Sequence, residues 1–232
     1  MPTVTADVVA RDPRLVAPDL LGLVLRHGER AGRIVEVEAY CGAEDPAAHT
    51  YRGRTPRNAT MYGPAGLLYV YRSYGLHWCA NVVCGGEGEG VAVLLRALEP
   101  TQGIEEMRAA RTAGRPAGAG PLPDRDLCRG PGRLTQALGI GGGHDGADLL
   151  VEDGALRLED DGWRPDRVAQ GVRVGISVAA DRPWRWWVPG APVSRGRQAA
   201  DDALPLLGPD GSAAAGGPGC PAPRLTWQDR RG

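Results

Sequence analysis

From Arg33 to Tyr40 the chain reads RIVEVEAY, and its apolar and polar residues alternate with the period of two that marks a β-strand. On such a strand Val35, Val37 and Ala39 line one face, while Ile34, Glu36, Glu38 and Tyr40 line the other. The apolar face is an ordinary core side. The other face is chemically unusual, because it sets two carboxylates beside a phenol.

The flanking sequence supplies partners for this strand. Residues 14 to 21 (RLVAPDLL) suit a short helix that Gly22 ends, LVLRH suits a strand, and Gly28 to Gly32 a turn. Leu67–Ser73 and Leu76–Cys84 read as strands joined at Tyr74-Gly75, where Gly favours a tight hairpin and Tyr74 takes the tip. Val91–Leu98 reads as a further strand and Glu105–Thr112 as a helix, with a Gly/Pro loop over 114–123. A short helix starts at Gly130-Pro131 and runs to Leu138, and Val172–Val178 with Trp184–Val188 complete the strands. The expectation is a single α+β domain over residues 1–199, with a curved, mainly antiparallel sheet and short surrounding helices. Residues 200–232 have a low-complexity composition expected to form a disordered tail.

Composition narrows the chemistry. All 27 basic residues are Arg, and without Lys there is no Schiff-base nucleophile, no pyridoxal phosphate attachment and no P-loop. A formal net charge of -1 means that any polyanion must be bound through a local patch. The 5 Cys form no C-x-x-C pair and read as reduced thiols. His77, Cys79 and Cys84 lack a fourth ligand, so neither metal nor cofactor is expected. The start of the chain lacks the pattern of a signal peptide and Leu20–Leu25 is too short to span a bilayer, so a cytoplasmic protein that avoids membranes is expected.

The 6 Tyr all fall between Tyr40 and Tyr74. Arg52, Arg54, Arg57 and Arg72 are interleaved with them, and no Asp or Glu occurs from Pro46 through Gly86. Rings that stack on bases and guanidinium groups for phosphates make up the composition of a nucleic-acid groove. The same counts also fit a Tyr-rich core hairpin with solvated arginines. His49 and Asn81 can read a base edge, and Arg133, just inside a helix start, can hold a phosphate. Glu38 on the same face as Tyr40 puts a general base beside a stacking ring. For a flipped nucleotide, the natural reaction is water attack on the sugar C1′.

The run GRIVEVEAYCGAEDPAAH (Gly32–His49), then RTPRN, LLYVYRSYG, CAN, LLRALEP, LCRGPGRLTQALGI (Leu127–Ile140) and VRVGIS (Val172–Ser177) resembles the methylpurine (3-methyladenine, alkyladenine) DNA glycosylase family. The likeness covers about residues 14 to 195. It implies a monofunctional enzyme of base excision repair that acts as a monomer on duplex DNA containing alkylated purines, through base flipping and an activated water. Glu38 matches the family's catalytic carboxylate, with Glu36 its non-catalytic neighbour. Arg96 and the backbone carbonyl of Val174 match the groups that help hold the water. Tyr40, His49 and Tyr71 match the walls of the base pocket, and Asn81 the residue that crowds the amine of undamaged guanine. Tyr74 matches a minor-groove wedge. Arg54, Arg57, Arg72 and Arg133 are the expected DNA contacts.

Two other readings fit the residues. One is a binding module that recognises damaged nucleic acid without cutting it. The other is a carbohydrate glycoside hydrolase using Glu36 and Glu38, roughly 6.5–7 Å apart along the strand.

Overall fold

A computed structural model describes residues 4–116 and 118–194, so the expected tail over 200–232 lies outside the described residues. In chain order the first elements are α1 (Ala6–Val9), α2 (Pro13–Leu20), β1 (Val24–His27), β2 (Arg30–Tyr40), β3 (Leu68–Ser73), β4 (His77–Cys84) and β5 (Val91–Gln102). Then come α3 (Ile104–Thr112), α4 (Pro131–Leu138), β6 (Leu156–Glu159), β7 (Ala169–Gly171) and β8 (Arg185–Trp187). The strands form one curved sheet in the order β3-β4-β5-β2-β1-β6, with β8 on the far half of β2 and β7 on β8. Every pairing among them is antiparallel. The fold is a single α+β domain, as expected.

The strand that carries the carboxylates is central. Its first residues pair with β1, Glu36–Glu38 pair with β8, and β5 runs along its other side. Both edges are therefore occupied, and Glu36 and Glu38 are fully buried. One face of the sheet packs on the helices. Val16, Ala17 and Leu20 of α2, Met107 of α3, and Leu134, Ala137 and Leu138 of α4 join Ile34, Val37, Ala39, Val93, Leu95 and Leu98 in one apolar cluster. Burial of each large side chain contributes about 1.5–3 kcal/mol.

The simple alternation expected for β2 is broken, and the break serves the opposite face. Ile34 pairs with Leu98 and Glu36 with Ala97, so Val35 is an extra residue on β2. Glu36 pairs with Ala97 and Val37 with Leu95, so Arg96 is an extra residue on β5. Each insertion is a β-bulge, a device that re-aims side chains. Ile34 therefore joins Val37 and Ala39 in the core instead of sharing the face of Glu36, Glu38 and Tyr40. The residues beyond the bulges return to the original pairing offset, as in Glu38 with Leu94.

Four further expectations need correction. The turn expected over Gly28–Gly32 is shorter, because β2 already begins at Arg30 and His27 pairs with Arg30. The strand placed at Leu76 starts at His77, and β5 runs on to Gln102 instead of ending at Leu98. The segment Val172–Val178 is irregular, with Gly175 at φ 79 and Ala179 at φ 47, and Val172 and Val178 are exposed. Its alternating valines and isoleucine mimic a strand, but the Val174 amide goes to Glu38 instead of a neighbouring strand and Gly175 turns the backbone left-handed. The short β6 was not expected at all.

Candidate active site

Sheet register assembles the site. Glu38 pairs with Leu94, Leu94 with Asn81, and Asn81 with Tyr69, while Arg185 pairs with Glu38 on the other side. Directly paired residues point to the same face, so this row carries Tyr69, Asn81, Glu38 and Arg185 on the side away from the helices. Tyr71 and Tyr40 lie two positions along their strands and share that face.

The two carboxylates have different surroundings. Glu36 accepts from Arg96 Nε at 3.1 Å, Arg185 Nε at 2.7 Å and the Ser194 hydroxyl at 2.9 Å, and also from the Ser194 amide. Two guanidinium groups thus neutralise it. Glu38 accepts from Arg96 Nη1 at 3.0 Å and Tyr40 Oη at 3.0 Å, both on Oε2, and from the Val174 amide at 2.7 Å on Oε1. A carboxylate offers about four acceptor positions, so the Glu38 pair of oxygens keeps one for a further donor.

Burial pushes the Glu38 carboxyl above the usual range, and Arg96, the Val174 amide and Tyr40 only partly offset that rise. Burial alone would lower the Arg96 guanidinium, but the charges of Glu38 and Glu36 outweigh it and raise it. The Tyr40 phenol is driven well up, chiefly by burial and then by the Glu38 charge, so it stays a donor.

Rings stand above the acid. His49 packs edge-on against Tyr71 with centroids 4.4 Å apart, and Tyr71 stacks on Tyr69 at 5.5 Å. His49 Nδ1 lies 3.1 Å from the Tyr69 hydroxyl, and the Asn58 amide donates to the His49 carbonyl at 2.9 Å, fixing the loop that carries it. Packing of the imidazole, with Arg57 nearby, holds His49 below its usual pKa, hence neutral at pH 7. His49 is exposed and Tyr40 and Tyr71 half-buried, so the rings face solvent while the carboxylate sits beneath them. Asn81 is buried and donates to the Tyr69 carbonyl at 3.1 Å.

The remaining expected residues lie outside this cluster. Tyr74 is 91% exposed at the tip of the β3–β4 hairpin. It has φ 50 and Gly75 has φ 68, and the Leu76 amide donates to the Ser73 carbonyl at 3.0 Å, closing the turn. Positive φ at both central residues matches the twist of the strands, yet it strains a Tyr. Arg54, Arg57, Arg72 and Arg133 are exposed. The Arg57 guanidinium lies over Tyr71 and that of Arg72 over Trp78, with Arg54 over Tyr62.

Sequence reasoning missed one pair. Arg173 and Asp45 form a fully buried ion pair, with Nη2 to Oδ1 at 2.8 Å, and the Arg173 guanidinium lies 4.7 Å from the centre of the Tyr40 ring. Arg173 Nη1 also donates to the Ala39 carbonyl at 3.0 Å. The pair ties the irregular segment, whose next residue Val174 faces Glu38, to the end of β2. The sequence carried no signal for this pair, because the two residues lie 128 positions apart and Asp45 simply follows another acid, Glu44. Val174 donates its amide to Glu38, and its carbonyl is the group that the resemblance assigns to the water. Among the described residues no three His, Cys, Asp or Glu side chains are grouped to hold a metal, and no helix is long and apolar enough to cross a membrane.

The family model for methylpurine-DNA glycosylase matches residues 7–192. A Burkholderia lata protein named "Putative 3-methyladenine DNA glycosylase" is 57% identical over 202 residues, covering 84% of this chain and 93% of its own length. Proteins of the same name from Rhodopseudomonas palustris (strain HaA2) and Nocardia farcinica are 50% and 48% identical, over 78% and 83% of this chain and 85% and 91% of their own. With a buried acid under a tier of rings and a match that runs through nearly every described residue, the chain belongs to the methylpurine-DNA glycosylase family.

Proposed function

We propose that this protein hydrolyses the N-glycosidic bond of alkylated purines, of the 3-methyladenine kind, in duplex DNA. Tyr74 enters the duplex from the hairpin tip, and the damaged nucleotide turns out into the space bounded by Tyr40, His49 and Tyr71. Flipping costs least for a poorly paired base. A purine alkylated on a ring nitrogen is cationic, and its attraction to an aromatic face is about 0.5–2 kcal/mol per contact. A neutral His49 adds no repulsion to that cation.

Glu38 then takes a proton from water as the water oxygen bonds to C1′. The C1′–N bond breaks with its electron pair on the purine, which leaves neutral because it began cationic. No acid is required for such a base. A positioned general base supplies about 10² to 10⁴ in rate, most effectively when its pKa lies near the working pH, and burial of Glu38 moves it in that direction. Arg96 and the Val174 amide orient the carboxylate. Asn81, held by Tyr69, crowds the amine of an undamaged guanine.

The observation that carries the reading is Glu38, fully buried but with one acceptor position unused, beneath a half-exposed tier of rings. Glu36 is committed to Arg96, Arg185 and Ser194, which disfavours a glycoside hydrolase with Glu36 as second acid. The test is chromatography of free bases released from alkylated duplex DNA. Glu38→Gln should retain binding to damaged DNA and lose excision. Binding without release by the unmodified protein would favour a recognition module instead.

A further inference from the structure

Beyond the rings and the hairpin, the end of α3 with Ala113–Arg115, Leu122 and α4 border an open cleft of about 400 Å³ lined by Arg111, Arg115, Arg133, Gln136 and Asp126. We infer that this cleft is a second binding site for backbone phosphates of the DNA duplex, with Arg115 and Arg133 as its phosphate ligands and Arg111 as its floor. The inference rests on the proposed action on DNA and extends it to where the duplex runs beyond the lesion.

Charge is the first argument. Asp126, the acid of the cleft, is paired with Arg129 at 3.5 Å. Among the described residues none of the three cleft arginines forms an ion pair. Arg111 is anchored by its Nε to the Leu127 carbonyl at 2.9 Å and by Nη1 to Gln136, whereas Arg115 and Arg133 are exposed. Burial lowers the pKa of Arg111 and the charges of Arg133 and Arg115 add to that, with Asp126 opposing them in part. Guanidinium groups that repel one another across an open cleft, in a protein of net charge -1, favour an anionic occupant.

Position is the second. The Thr135 hydroxyl donates to the Trp78 carbonyl at 2.9 Å. Gly132 abuts His77 so closely that a Cβ there would lie 2.8 Å from the His77 Cβ. α4 is thereby held at the base of the hairpin, three residues from Tyr74, or about 10 Å along the strand. That is about three base-pair rises. Arg57 lies on the Tyr71 face of the hairpin and Arg72 on the Trp78 face, the side on which Leu134, Ala137 and Leu138 of α4 pack with Val70, Ala80 and Trp78. Arginines therefore flank the wedge on both faces, as a duplex straddling it requires.

The experiment compares unmodified protein with Arg115→Ala and Arg115→Ala/Arg133→Ala for binding to an undamaged duplex across ionic strength. Each phosphate ligand removed should make the slope of log affinity against log salt shallower by about 0.9, so about 1.8 for the double variant. Both side chains are exposed, and an unchanged Tm establishes that the fold is intact. Unchanged affinity and slope in the double variant overturn the inference. Base release by the unmodified protein, assayed in parallel, tests the glycosylase reading separately. A shallower slope without any base release keeps the phosphate cleft and refutes catalysis, and full release with an unchanged slope does the reverse.

Discussion

Replacing Asp45 with Ala should both loosen the fold and slow excision, because this one carboxylate neutralises a guanidinium with no exposed surface. Arg173 would be left with carbonyl acceptors, Ala39 at 3.0 Å and Ala179 at 3.4 Å, beneath the Tyr40 and Trp184 rings. Breaking a buried pair from one side costs about 3–5 kcal/mol. For a domain of this size that corresponds to a fall in Tm of about 6–20 °C. Asp45 also accepts from the Ala47 amide at 3.1 Å, so the loop leading to His49 is loosened as well. The excision rate, measured in a single turnover with protein in excess, should fall at a temperature where the variant remains folded, because the Val174 amide is no longer held against Glu38. Adding Arg173→Met to Asp45→Ala should recover much of the Tm, since the stranded charge is gone, but not the rate. A Tm within about 2 °C of the unmodified protein, or a double variant that regains full rate along with stability, would show that the pair neither supports the fold nor sets the segment.

Excision should rise with pH on its acid limb at a pH above that of an ordinary carboxylate, since burial holds Glu38 protonated longer and only the ionised form is a base. Tyr40→Phe removes a hydrogen bond to the charged form and should carry that limb higher still; a limb that moves down contradicts the sign. Tyr74→Ala keeps the Cβ and so the strain of φ 50, but should weaken lesion affinity and slow single-turnover excision from duplex substrate, and equal values for both proteins would remove the wedge. Gly132→Ala should lower Tm by thermal melting even though helix propensity favours Ala by about 1 kcal/mol, because its Cβ meets His77 at 2.8 Å and overpacking costs about 1–3 kcal/mol. A higher Tm would mean that α4 can shift away freely.

The hairpin was legible because Leu68–Ser73 and His77–Cys84 combine strand periodicity with a Gly at the turn. The α4 start was legible from Gly130-Pro131, since Pro fits the first helical position. Glu38, Tyr40 and Tyr71 were singled out by residue type and by resemblance, and the register shows how they share a face. Val172–Val178 misled because alternation reports only side-chain polarity, whereas the amide of Val174 goes to a carboxylate instead of a neighbouring strand. Asp45 and Arg173 were invisible for another reason. Their attraction exists only after the sheet has brought distant segments together, and no local pattern encodes it.

The bulges at Val35 and Arg96 behave like two dislocations of opposite sign in a lattice. Because they cancel within a single row, the pairing from Val37 to Tyr40 keeps the offset it has at Gly32–Ile34, and the guanidinium between the two acids is gained without a lasting slip. Deleting either residue alone would leave one fault uncompensated, turning one side of the strand inside out from that row onward. For register alone these two positions tolerate replacement better than deletion, but replacing Arg96 also removes the guanidinium that Glu36 and Glu38 share.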